Sequence, residues 1–128
     1  MRVFKTRMFH RWAGRAGLSD RELSQAIMEM RAGLIDARLG GGVIKKRIRR
    51  LGQGKRGGYR TLLATNLRDR WFFLFGFAKN EQEDMDDSEL ANLKSVAAAL
   101  LAMDNVTITE ALTQAKLVEI DHGKQETA

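Results

Sequence analysis

The sequence predicts an α+β protein in the order β-α-α-β-β-β, with a small, mostly antiparallel sheet, a helical hairpin on one side and additional helices at the C-terminus. Three observations carry that prediction. Apolar residues recur at helical spacing through residues 7–30, the period changes to two within residues 43–65, and the charge changes sign near residue 80.

Residues 2–5, RVFK, alternate and suit a short first strand. Thr6 caps the first helix, whose Phe9, Trp12, Ala13 and Ala16 fall at i, i+3, i+4 and i+7, and Gly17 supplies a left-handed stop. Ser19 and Glu22 have the spacing of a capping box, ahead of Leu23, Ala26, Ile27 and Met30 on a second helix closed by Gly33. Residues 33–42 read as a loop ending in a flexible triple glycine. A strand from Val43 then puts Ile44, Lys46, Ile48 and Arg50 on one face and Val43, Lys45, Arg47 and Arg49 on the other. The isoleucines can meet a core, so the second face looks outward. LGQGKRGG is a glycine-rich turn, YRTLLAT (59–65) a further strand, and RWFFLFGFA (70–78) is apolar on both faces, as a central strand should be.

Beyond Lys79 an acidic run leads into a helix from near Asp87, marked by Leu90, Leu93, Ala97, Leu100 and Leu101; acids there suit the helix dipole. Thr107 and Glu110 suggest another capping box and a last helix to about Leu117. The expected organisation is one domain over 1–128: a basic body (1–79), an acidic helical extension (80–118) and a frayed tail (119–128).

Composition excludes several classes. Residues 1–80 carry 19 Lys/Arg against 5 Asp/Glu, and residues 81–128 carry 3 against 11, so a basic body precedes an acidic segment. No apolar run approaches the ~18 residues that span a bilayer, and MRVFKTRMFHRW lacks a signal-peptide pattern. The absence of cysteine removes disulfides and thiolate metal sites and fits a cytoplasmic location. Only His10 and His122 offer imidazole, so neither a metal nor another cofactor is expected. GQGKRGG lacks the spacing of a P-loop, and no hydrolase or metalloprotease motif occurs.

What remains is VIKKRIRRLGQGKRGGYR (43–60), with eight cations and no acid. Alternate strand residues stand roughly 7 Å apart on one side, so Lys45, Arg47 and Arg49 match the spacing of successive phosphates, and Arg60 on the next strand can join them. Arginine forks grip phosphate oxygens in pairs, while lysine acts as a point charge. Crowded cations disfavour the charged form of a lysine, which suits it to proton transfer while arginines stabilise a phosphorane. RNA brings its own nucleophile, the 2′-hydroxyl. The residues alone support a binding face equally well.

GGVIKKRIRRLGQGKRGGYRTL followed by FFLFGFAKNE resembles the RelE/HigB-type toxins of bacterial toxin–antitoxin modules, over about residues 1–116. The resemblance implies the RelE-like fold and a ribosome-dependent mRNA endonuclease (an mRNA interferase), held by a cognate antitoxin of helix-turn-helix type. It implies catalytic roles for Lys45, Arg47, Arg60 and Lys79, and nucleic-acid contacts from Lys46, Arg49, Arg50, Lys55 and Arg56. Asn80 stands where the family carries an arginine, and the tyrosine of some members is missing from residues 82–87. Two alternatives stay open: a ParE-like poison of DNA gyrase, and a non-catalytic member that only binds nucleic acid or antitoxin.

Overall fold

The computed structural model describes residues 1–49, 58–79 and 85–121. β1 (Arg2–Thr6) runs into α1 (Arg7–Ala16) and α2 (Asp20–Arg31). β2 (Ala37–Gly40), β3 (Val43–Arg49), β4 (Gly58–Thr65) and β5 (Arg70–Ala78) follow, then α3 (Asp87–Leu101), α4 (Asn105–Thr113) and β6 (Leu117–Ile120). The strands form one six-stranded sheet in the order β2-β3-β4-β5-β1-β6, antiparallel throughout except for the β1–β5 pair. The α+β architecture with a helical hairpin is therefore as the sequence predicts.

Local chemistry explains the hairpin. The Thr6 hydroxyl accepts from the Phe9 amide, Gly17 adopts φ 76°, and Ser19 and Glu22 make both halves of the capping box. Phe9, Ala13, Leu23, Ala26, Ile27 and Met30 then bury against Val3, Ile44, Ile48, Leu63, Trp71 and Phe73 on one sheet face. The other face, with Phe4, Val43, Leu62, Ala64, Phe72 and Leu74, lies under Leu93 and Ala97 of α3 and Ile108 and Ala111 of α4. Phe9–Phe73 and Phe4–Phe72 each stack at 5.0 Å between ring centroids, one pair on each side of the central strands. The result is a sheet between two helical layers.

Four expectations change. Residues 33–42 are not simply a loop: they contain β2, which pairs with β3 as a hairpin. Gly40, Gly41 and Gly42 at φ +86°, +63° and +80° make its turn. That left-handed run admits glycine readily and other residues poorly. The last helix is capped by Asp104, which accepts from the Thr107 amide at 2.8 Å, rather than by Thr107, and it ends at Thr113 rather than near Leu117. Residues 117–120 form neither helix nor frayed tail, because they pair with β1 from Val3 to Thr6. Finally, α3 and α4 are no appendage, since they close the second core. They meet at 112°, and Arg70 fixes the junction by donating to the Met103 carbonyl and, at 3.0 Å, to Asn105 Oδ1. Among the described residues no single helix is long and apolar enough to cross a membrane.

Candidate nucleic-acid interface

The register of β3 and β4 builds the site. Arg47 lies directly opposite Arg60, and Lys45 opposite Leu62. Opposed residues of an antiparallel pair share a face, with Cβ atoms about 4.5–5.5 Å apart, and like charges placed there repel. Leu62 packs under α3 and α4, which identifies that face as the one shared by Lys45, Arg47 and Arg60. β5 extends the row, with Phe77 opposite Arg60 and Phe75 opposite Leu62. The two rings lie 6.0 Å apart and give the arginines an aromatic flank.

Cover by α3 is uneven. Val43, Leu62 and Ala64 are buried beneath it, while Arg47 is exposed and Lys45 and Arg60 are half-buried. The C-terminal helices thus share the basic face but leave its Arg47–Arg60 end open. Lys79 is exposed two residues after Phe77, and its amide reaches the Gly58 carbonyl at 3.4 Å, so it belongs to the same end of the sheet. The structure therefore brings Lys45, Arg47 and Arg60 onto one face and sets Lys79 at its rim. Tyr59 points the other way: its hydroxyl donates to the Ala16 carbonyl at 3.0 Å and its ring meets Trp12 edge-on.

One expected contact is displaced, and a second borders a groove. Lys46 is 6 % exposed on the hairpin face, where its ammonium pairs with Glu29 at 2.8 Å and donates to the Leu34 carbonyl at 3.0 Å. A charge buried and paired in this way is not offered to nucleic acid; it ties α2 to β3. The hydrogen bond from Lys46 holds the Glu29 carboxyl below its usual range against the opposing effect of burial. Arg49 is exposed but lines a groove of about 540 Å³ with Arg21, Gln25 and Ile48, beside α2. On β3 it follows Arg47 by two residues, opposite Gly58, and its side chain borders the α2 groove. Arg50, Lys55 and Arg56 lie outside the described residues, as do Asn80 and most of the acidic run.

The structure adds residues that sequence reasoning missed. β2 pairs with β3 only from Val43 to Lys45, so β3 is the sheet edge beyond that point. There Asp36 takes over: its carboxylate accepts the Arg47 amide at 2.6 Å and its own amide donates to the Lys45 carbonyl. Asp36 thus fixes the backbone on either side of Lys46, and the signal for it was a carboxylate shortly before a glycine hairpin. Gly76 allows Trp12 to lie on β5, since a Cβ there would overlap the indole ring.

Two arginines opposed across a strand pair, with a lysine on the same face and another at its margin, present a cationic row suited to a phosphodiester. A sequence model of a known family, the RelE toxin of the RelE / RelB toxin-antitoxin system, matches residues 1–120. No curated protein gives a significant match.

Proposed function

The chain belongs to the RelE toxin family and is the toxin of a toxin–antitoxin pair with a cognate antitoxin; from that premise we propose that it cleaves mRNA on the ribosome. The observation that carries the reading is the Arg47–Arg60 opposition. Two like charges directly across a ladder are destabilising unless an anion lies between them. A scissile phosphate is such an anion. In the reaction the 2′-hydroxyl loses its proton to a base and attacks phosphorus. The bond to the 5′-oxygen breaks, and that oxygen takes a proton as it leaves, so a 2′,3′-cyclic phosphate and a 5′-hydroxyl end result. Arg47 and Arg60 stabilise the charge on phosphorus, and Lys45 or Lys79 moves the protons. Phe75, half-buried and backed by buried Phe77, offers an apolar flank to a neighbouring base. The site acts in the cytoplasm, and a helix-turn-helix antitoxin covers it at rest.

A reconstituted translation reaction with a defined mRNA tests this reading. Wild type should leave cyclic-phosphate ends within the translated frame, and Arg60→Ala should lower the rate by about 10²-fold or more. Intact mRNA with trapped gyrase–DNA complexes would replace the reading with gyrase poisoning. Intact mRNA without growth arrest would reduce it to binding alone.

A further inference from the structure

We propose that the outer face of α1 is a second RNA-backbone contact, made by Arg11 and Arg15 around Gly14, on the opposite side of the sheet from Arg47 and Arg60. The α1–α2 hairpin carries five arginines (Arg7, Arg11, Arg15, Arg21, Arg31) against three acids. Every one of those acids is engaged: Asp20 pairs with Lys5 at 2.7 Å, Glu22 closes the capping box, and Glu29 holds Lys46. Arg7 is partly occupied as well, donating to the Gln114 and Ala115 carbonyls beyond α4. Arg11 and Arg15 are exposed and have no hydrogen bond or ion pair among the described residues.

Their spacing is what a polyanion requires. Arg7, Arg11 and Arg15 recur at i, i+4 and i+8, about 6 Å apart along the axis, on the side away from buried Phe9 and Ala13. Like charges at that spacing repel; Arg7 is steadied by the Gln114 and Ala115 carbonyls and Arg15 by the C-terminal end of the helix dipole, but no acid among the described residues neutralises Arg11 or Arg15. Gly14 lies beside Arg11 and Arg15, exposed, with nothing within 4 Å of an added Cβ. Packing therefore does not explain a glycine inside a helix, where it is unfavourable. It leaves bare backbone at the edge of the arginine stripe, where a sugar–phosphate chain can approach closely. A protein partner would instead seek apolar anchors, and Met8, on the same stripe three residues before Arg11, is the single large apolar side chain exposed on α1. The inference is independent of whether the sheet face cuts RNA.

The test is binding of the full-length toxin to 70S ribosomes and to a 20-base-pair RNA duplex as salt is varied, with a poly-glutamate peptide as comparison. Arg11→Ala/Arg15→Ala should lower the slope of log K against log salt by about 1.5 and leave Tm near wild type. Gly14→Ala should raise Tm yet weaken RNA binding, a combination that loss of fold cannot produce. An unchanged slope in the double variant would overturn the proposal. So would a loss confined to the poly-glutamate peptide, or one matched by Met8→Ala, either of which would assign the face to a protein.

Discussion

Lys46 and Arg47 are neighbours in sequence with opposite duties. Lys46 is buried with Glu29, whereas Arg47 stands exposed opposite Arg60. Replacing Lys46 with Met should therefore cost stability, by ~1–2 kcal/mol because Glu29 stays 40 % exposed and water screens it, while leaving the salt dependence of RNA binding unchanged. Arg47→Ala should do the reverse, with a slightly raised Tm, because the repulsion from Arg60 is relieved, and a shallower salt slope. Paired urea melts and binding titrations check both. The Lys46 environment was illegible in sequence because alternation assigns a side chain to a face without naming what waits there. Glu29 lies on another element and the Leu34 carbonyl in a connection. Arg60 was legible only as a cation on the neighbouring strand; its face follows from the register that sets it opposite Arg47 and Leu62 opposite Lys45.

At the scale of elements, what was local could be read and what was distant could not. The Thr6 cap, the Gly17 stop and the Ser19–Glu22 box are settled within a few residues, and each appears in the fold as expected. Ser19→Ala should lower stability by about 1 kcal/mol, measurable by denaturant unfolding. β2 and β6 were missed because each has only four residues. Strands this short show little alternation, and β6 owes its existence to β1, more than a hundred residues earlier in the chain. The acidic segment was read as an extension for the same reason: its inner face is defined by Leu62, Ala64 and Phe72 on strands that precede it. Gly42 joins these elements, since φ +80° and the Leu101 methyl 2.7 Å from a notional Cβ leave no room for a side chain. Gly42→Ala should loosen the β2–β3 turn from α3 and lower Tm by several degrees.

Over the whole molecule, charge is sorted by surface. The hairpin and one open end of the sheet are basic, and several acids among the described residues serve as caps and locks. Glu29, Asp69 and Asp104 are all held below their ordinary carboxyl range, chiefly by hydrogen bonds from Lys46, from the Asn66 side chain and from the Thr107 amide respectively. A lowered folded pKa means stability that is complete above the unfolded value and is lost as pH falls through the folded one. Thermal melts should therefore hold steady near neutrality and decline as pH drops below about 4. If the Arg47–Arg60 face cuts translated mRNA as proposed, primer extension on a defined transcript, with and without ribosomes, should show cuts that require ribosomes and vanish in Arg60→Ala and in Lys45→Ala/Arg47→Ala. Cuts that persist in both variants, or a wild-type protein that arrests growth while leaving every transcript intact, would contradict it.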